Sequence, residues 1–506
     1  MRLSSALLAA TVVVLGVDAH PARASFISFP IHRVGPRSDV PPLPPTIVHQ
    51  QHANRAIRRL EHLSGANTHT PDEVLLDNLQ RRAAALPSHI QKRYYHPALD
   101  VLLRLPEAGK HTHAVGRTHA KEQEGQTLKA GESDSEEGED QAIREGVTPA
   151  RKPTFKNTIG LDIQSSDIGY IGKVQIGTPS RSFNLLMDSG SADLWVGAEG
   201  CVPENPWDDQ EDCGAHTFLG PKSSSTFNDT KKPWKIQYGT GAVSGTIVTD
   251  HIAFAGLRLP KYQFGVAAKE SAEFTPDYIP FDGLAGLAKA AISRQGTIPI
   301  VEALHRAGLI AEPIVSYHIP RLADAVDGHS DGELTLGALN PARYQRDTLV
   351  KVPNVSPIGF WEARLDGVRV GGKNMHWSTR KAIFDSGTTL LIAPPADVTA
   401  IHARIPGAYF DPEGLGGWTV PCVPTSNKHR PAMSLVIGGR AFDIDARDIA
   451  FLPIDAADPE GDCTSGISAG DVGGEGVWLV GDVFLKNVYM STNVDDDSIS
   501  FAKLKK

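Results

Sequence analysis

Phe183-Asn-Leu-Leu-Met-Asp188-Ser189-Gly190-Ser191 is answered further along the chain by Lys381-Ala-Ile-Phe-Asp385-Ser386-Gly387-Thr388-Thr389, with the two Asp residues 197 positions apart. Each copy is an apolar run of strand length, then Asp, a hydroxyl residue, Gly and further hydroxyls. A single Asp-Ser-Gly is weak and reads as a turn, which these residues favour. The doubled form divides the body into two similar halves, expected at residues 154–342 and 343–506. Gly481-Asp-Val-Phe484 closes the second half, and Phe281-Asp-Gly-Leu-Ala-Gly286 is its expected counterpart in the first. Between these landmarks run short apolar or alternating segments separated by Gly, Pro, Asn and Asp. Ile168–Ile176, Phe183–Met187, Gly245–Ile252 and Glu333–Leu336 are examples, and the pattern predicts an all-β fold. Helical windows are few. Pro299–Leu309 is the clearest, with Ile300, Val301, Leu304 and Leu309 on one face.

The chain has 506 residues, 41% of them hydrophobic and 22% charged, which excludes a wholly disordered or fibrous protein. A net charge of −9 argues against a nucleic-acid partner, since phosphate requires a basic face. Four cysteines, none in a CxxC pair, suggest no zinc site. They allow three pairings. Pairing of sequence neighbours, Cys201 with Cys213 and Cys422 with Cys463, is the expectation. Asn228-Asp-Thr230 and Asn354-Val-Ser356 are glycosylation sequons. His111-Thr-His113 lacks ligand partners at helical spacing and reads as a surface pair. Asp495-Asp-Asp497 has no spaced ligand series and reads as a turn rather than a calcium loop. No G-x-S-x-G elbow supports a serine hydrolase.

The N-terminus carries Arg2, an apolar run from Leu7 to Val17, and small residues suited to cleavage after Ala19 or Ala24. That is the pattern of a secretory signal peptide at residues 1–19, too short to span a membrane. The C-terminus lacks the tail a lipid anchor requires, so no membrane anchor is expected. Residues 25–131 hold 14 basic against 9 acidic residues, and eleven of the 19 histidines lie before residue 131. Glu132–Glu145 carries seven acidic residues and one arginine, and the span 132–153 reads as an acidic disordered linker. From Thr154 onward there are 31 basic and 42 acidic residues. A basic, His- and Pro-rich leader at 20–131 before an acidic body predicts a cleavable pro-segment, attracted at neutral pH and released as carboxylates protonate and histidines charge. Arg58-Arg59, Arg81-Arg82, Lys92-Arg93 and Arg151-Lys152 are candidate processing sites.

Trp195 follows the first Asp by seven residues, and Tyr238-Gly239-Thr240-Gly241 lies beyond it. With the doubled Asp-Ser-Gly, these residues make the body resemble the pepsin-like aspartic proteases, in the style of secreted fungal members, over residues 158–503. The resemblance implies a bilobal fold with a central cleft, one catalytic Asp from each lobe, and a β-hairpin flap. By motif match the pair is Asp188 and Asp385, and Tyr238 is the flap-tip residue. Gly239 and Thr240 would bond an extended peptide through their backbones, and Trp195 would brace Tyr238. Gly190 and Gly387 allow tight turns that bring backbone N–H groups to the carboxylates. Ser189 and Ser386 stand where family members often carry Thr, and keep the hydroxyl that braces one loop against the other. Ser191 and Thr388 are placed to bond the outer carboxylate oxygens. Leu284, Phe281 and Ile383 are candidates for apolar pockets or for plain core. Family pro-segments place a Lys between the two carboxylates, and Lys152 and Lys156 are among the candidates here.

Two carboxylates about 3 Å apart cannot both ionise cheaply, so one proton is shared and the pair supplies an acid and a base together. A water held between them is deprotonated and attacks the amide carbonyl, and the protonated partner stabilises the oxyanion. The expected activity is hydrolysis of peptide bonds between bulky apolar residues at acid pH. It needs neither metal nor cofactor. The implied partners are protein and peptide substrates and the chain's own pro-segment as an intramolecular inhibitor, with the protein a monomer. Secretion is the expected destination, an acidic vacuole the alternative. The rival reading is a catalytically silent binding protein of the same fold, which would ordinarily have lost an Asp or the flap tyrosine.

Overall fold

The computed structural model describes residues 32–33, 49, 52–53, 94–95 and 146–505, apart from 205–211, 239–240, 272, 276–278, 378–379, 412–416, 424–432, 456–457, 471–473 and 475. The signal peptide, residues 132–145 of the linker, three of the four basic doublets, His111-Thr-His113 and the backbones of Gly239 and Thr240 lie outside the described residues.

Alternation builds the first half. Strand Arg181–Asp188 buries Phe183, Leu185 and Met187 while Ser182 is exposed, so one face of the pleat joins the core. It lies in a nine-stranded sheet assembled from residues 147–286. The outer edge of that sheet is a long hairpin, Asn228–Tyr238 against Gly241–Phe254, with Tyr238 opposite Gly241. The second half forms three smaller sheets from residues 362–480. A six-stranded sheet joins the halves. Its order is 350–353, 498–503, 488–493, 314–318, 333–336, 158–160, three strands from each side. At its middle Ile314–His318 runs antiparallel to Tyr489–Asn493. One main apolar core runs through both halves, from Phe183 and Phe264 to Phe384 and Trp478. The all-β expectation holds.

The doubling seen in the sequence is a doubling of topology. Gly283–Gly286 lies parallel to Leu185–Asp188, and Val477–Val480 lies parallel to Lys381–Phe384. Each inner strand then pairs antiparallel on its other side, with Leu194–Val196 and with Leu391–Ile392. The first inner strand ends on Gly286 and the second is followed by Gly481, and each glycine passes close to another backbone. A Cβ on Gly286 would sit 2.4 Å from the Asp193 nitrogen, and one on Gly481 would sit 2.0 Å from the Thr388 carbonyl oxygen. The register thus sets Gly286 against Gly481, and Phe281 and Phe484 are not equivalents.

Three sequence boundaries move. The helix expected over 299–309 spans Ile300–Arg306, because Gly308 turns the chain at φ +69°. Ile300, Val301 and Leu304 are buried as expected, and Leu309 lies past the helix end. The body begins earlier than residue 154. Val147–Thr148 pairs with Ile163–Gln164, and the Ala150 N–H donates to Asp162 Oδ1 at 2.7 Å. The acidic run that defines the linker stops at Glu145, and of the last eight residues of that span Val147–Thr148 belongs to the sheet while Ala150 bridges to Ser330. Among the described residues, no helix is long and apolar enough to cross a membrane.

Both disulfides join sequence neighbours, Cys201–Cys213 and Cys422–Cys463, with Cα separations of 5.6 and 5.0 Å. The loops they close, of 12 and 41 residues, correspond to roughly 3 and 4 kcal/mol of stabilisation in the chain-entropy account. Beside the first disulfide lies Glu270, 4% exposed. Burial, and secondly the carboxylate of Asp282, push its carboxyl up to about 8. The folded state therefore keeps a proton that the unfolded chain loses near pH 4.3. Stability contributed by this group falls as pH rises from that value and levels off above about 8, a change on the order of 5 kcal/mol at most. Urea unfolding of Glu270→Gln is expected to depend less on pH between 5 and 8 than that of the wild type. Parallel pH profiles for the two proteins would remove Glu270 as the cause.

Candidate active site

Asp188 ends its strand and Asp385 follows its own, so both carboxylates leave the sheets at corresponding points. The first is 0% and the second 1% exposed. Their hydrogen bonds match one for one. Asp188 Oδ1 accepts from the Gly190 N–H at 2.9 Å, and Asp385 Oδ1 accepts from the Gly387 N–H at 2.9 Å. The Ser191 hydroxyl donates to Asp188 Oδ2, and the Thr388 hydroxyl donates to Asp385 Oδ2 at 2.6 Å. Gly190 packs onto the opposite carboxyl group, since a Cβ there would lie 2.5 Å from Asp385 Oδ1. No residue larger than glycine fits between the first loop and the second Asp.

The loops also grip each other. The Ser189 N–H donates to Ser386 Oγ at 3.0 Å, and the Ser386 N–H donates to Ser189 Oγ at 2.9 Å. Each hydroxyl then donates onward, Ser189 to the Phe384 carbonyl at 3.1 Å and Ser386 to the Met187 carbonyl at 2.9 Å. All these groups are buried, so each bond satisfies a polar atom with no other recourse in the opposite half. Beneath lies Tyr317 of the joining sheet. Burial first, and also the charges of Asp188 and Asp385, push its phenol upward.

On the hairpin side, Trp195 Nε1–H donates to the Tyr238 hydroxyl at 2.9 Å. The expected brace is present. Phe274 packs edge-on against both rings, with centroids 5.3 Å from Trp195 and 5.9 Å from Tyr238. Phe281 and Leu284 join the same apolar cluster, 8% and 2% exposed. Ile383 does not. It belongs to a second cluster with Phe360, Leu390, Ile392 and Leu479 on the Asp385 side. That second cluster also contains Ala53 of the leader.

Sequence reasoning missed Phe274, whose neighbours carry no periodicity. It missed Thr389, whose hydroxyl donates to the Ile168 carbonyl at 3.0 Å, and it missed the leader residues placed next to it. Lys152 and Lys156, named as candidates to lie between the carboxylates, are both exposed. Lys152 lines a surface pocket with Arg151, Asp327 and His329. A Cys201, Cys213 and Glu270 cluster has ligand spacing, but the two sulfurs are bonded to each other and offer no thiolate. Asp495, Asp496 and Asp497 lie between two strands and face His305, Lys351 and Lys289, the disposition of a surface turn.

Comparison with known proteins places this geometry. Residues 169–504 match the family described as eukaryotic aspartyl protease. Over 357 residues, 70% of this chain, the sequence is 32% identical to a probable aspartic-type endopeptidase CTSD of Arthroderma benhamiae, and the match spans 65% of that relative's length. It is 30% identical to the aspartic-type endopeptidase ctsD of Aspergillus fumigatus, covering 70% of each chain. It is 33% identical to human Napsin-A over 346 residues, 67% of this chain and 76% of that one. With matched loops around two buried aspartates and a family match over most of its body, the chain belongs to the eukaryotic aspartyl proteases.

Proposed function

We propose that this chain is an aspartic endopeptidase, made as a zymogen on the secretory route and active in acid. The observation that carries the reading is the Asp188–Asp385 pair, held by mirrored hydrogen bonds and by a reciprocal grip between the loops. Like charges so placed favour one shared proton, which belongs to the pair rather than to either residue. A water bridging the carboxylates loses its proton to the ionised member and attacks the peptide carbonyl. The protonated member donates to the developing oxyanion, and the pair then returns a proton to the leaving amine. The Ser191 and Thr388 hydroxyls hold one oxygen of each carboxylate and the Gly190 and Gly387 N–H groups the other, which fixes the orientation of both toward the water.

The hairpin bearing Tyr238 acts as a flap over substrate, with Gly239 and Thr240 bonding the extended peptide backbone and excluding water. Its aromatic cluster of Trp195, Phe274, Phe281 and Leu284 gives one side of the site an apolar wall, and Ile383 with Phe360 gives the other. Bulky apolar side chains flanking the scissile bond fit both walls. The basic leader acts as pro-segment, and the monomeric protein is delivered outside the cell or to an acidic vacuole.

Glycan attachment should separate the two sequons. Asn228 is exposed at a strand start, with only a long contact from its amide nitrogen to Thr249 Oγ1, 3.4 Å. Asn354 is built into the fold. Its amide nitrogen donates to Asp497 Oδ1 at 2.8 Å, and its oxygen accepts the Glu362 N–H at 2.9 Å. A sugar on that nitrogen displaces a donor the turn uses.

Processed protein should digest denatured globin at about pH 3–5 and be stopped by pepstatin. Asp188→Asn and Asp385→Asn should each lose at least about 10²-fold in turnover while remaining folded. Undiminished cleavage by either variant would refute the dyad, and binding of pepstatin without turnover by the wild type would favour the silent binder. Ser386→Ala leaves the Ser189 N–H buried without an acceptor. It should lower stability by about 1–3 kcal/mol, read by urea unfolding. Peptide mapping after enzymatic deglycosylation of secreted protein should find the mark at Asn228 and none at Asn354.

A further inference from the structure

Behind the floor of the site lies a separate cavity. Tyr317, beneath the aspartates, and His318 are consecutive in one strand, so their side chains point to opposite faces of the joining sheet. His318 lines a cavity of about 780 Å³, within the size range of small-molecule pockets. It forms where strand Ile314–His318 ends, strand Val488–Asn493 begins and strand Ser498–Lys503 ends, three neighbours in the sheet. Both halves contribute to the lining. His318, Pro320 and Val326 come from the first, and Phe442, Lys503 and Lys505 from the second.

Most charges around the cavity are already matched. Arg321 donates to Asp448 Oδ2 at 2.7 Å and to Asn487 Oδ1 at 2.5 Å, from one half to the other. Asp445 and Asp324 hold Arg447, Asp448 and Asp167 hold Lys486, and Asp331 holds Arg343. Two cations are left over. Among the described residues neither Lys503 Nζ nor Lys505 Nζ has a hydrogen bond or an ion pair. Asp443 is the one lining carboxylate outside an ion pair there, and the Ser434 hydroxyl donates to it at 2.8 Å. Arg151 donates to the Val326 carbonyl at 2.9 Å and lies 3.7 Å from Asp327. His318 is 8% exposed. Its Nδ1 donates to the Asp331 carbonyl at 3.2 Å, and its Nε2 has no hydrogen-bond partner among the described residues. Val326, 55% exposed, adds apolar surface beside these groups.

We propose that this cavity binds a small organic phosphate or sulfate ester. Lys503 and Lys505 hold its negative charge, His318 Nε2 bonds its oxygens, and Pro320, Val326 and Phe442 cover its carbon skeleton. The chemistry of the lining selects the ligand. Guanidinium forks suit carboxylates, but those of Arg321 and Arg447 are committed, whereas ammonium groups act as point charges that suit tetrahedral oxyanions. A bare oxyanion fills only a small part of about 780 Å³, so the organic part of the ester belongs to the site. Burial holds the His318 ring below its usual range, opposed by the carboxylates of Asp331 and Glu333 and aided by the charge of Arg343. Tyr489, opposite on the neighbouring strand, is a buried neutral phenol, and His329 stands exposed on the cavity rim. An oxyanion beside Nε2 favours the protonated ring, so binding takes up a proton and tightens as pH falls, by at most about tenfold per unit. Because the ligand touches both halves, it also stabilises their union by mass action.

The test uses the full chain carrying Asp188→Asn, which keeps it intact, with chloride at matched ionic strength as the baseline. Thermal unfolding and titration calorimetry read the binding of sulfate and of phenyl phosphate. Phenyl phosphate should raise the unfolding midpoint saturably and bind at least about tenfold more tightly than sulfate, because its ring buries apolar surface. The double variant Lys503→Gln, Lys505→Gln should weaken both ligands by at least about tenfold, the loss of one charged hydrogen bond, and leave unfolding in chloride unchanged. Sulfate stays doubly charged from about pH 7.5 to about 5.5, so its tightening over that range reports protons taken up by the protein, and it should be smaller in His318→Gln. No midpoint shift beyond that of chloride, or equal affinity in the lysine double variant, would overturn the site. Sulfate bound as tightly as phenyl phosphate would overturn the organic ligand, and undiminished pH dependence in His318→Gln would overturn the part given to the histidine. Both lysines reach solvent, so the double variant decides the proposal even where His318→Gln fails to fold.

Discussion

Ser189 and Ser386 each donate a backbone N–H to the other's hydroxyl, and the rest of the site depends on that exchange. Neither half can complete its own loop. The hydroxyl protons pass on to the Phe384 and Met187 carbonyls, so three buried polar groups on each side are satisfied by four bonds across the division. An unmade bond there would cost about 1–3 kcal/mol per group, which makes the alignment of the halves a condition of folding rather than a later adjustment. The aspartates inherit their positions from it. Asp188 precedes Ser189 and Asp385 precedes Ser386, so bringing the serines together brings the carboxylates together.

That dependence explains which features could be read from the sequence. A doubled Asp-Ser-Gly behind apolar strands records a local requirement repeated twice, and local requirements leave local marks. Gly190, Gly286 and Gly481 are similarly visible, because a close backbone approach excludes any side chain at that position. The disulfides were legible through sequence proximity, and the helix end through Gly308. Phe274, Thr389 and the leader contacts were not. His52 reaches Thr389 over 337 residues, and neither residue's surroundings announce the meeting. The expectation of a lysine from 152 or 156 followed the family resemblance, and both residues are exposed.

The halves are related by topology, yet their walls differ in kind. The first wall is aromatic and locked by Trp195, Tyr238 and Phe274, and its outer edge is a two-stranded hairpin with, among the described residues, no partner strand beyond Asn228–Tyr238. The second is backed by Leu479 and Ile392 from the sheet that carries Asp385.

Burial decides the electrostatics as much as net charge does. Glu270 and His402 are both driven by burial toward their neutral forms, one upward and one downward. Asp448 stays compatible with the interior because Arg321, Lys486 and Asn487 all donate to it, fixing the short helix of residues 482–485 against the segment before Phe451. The same contact backs the turn at Gly481, which lies against the Thr388 carbonyl of the second aspartate loop.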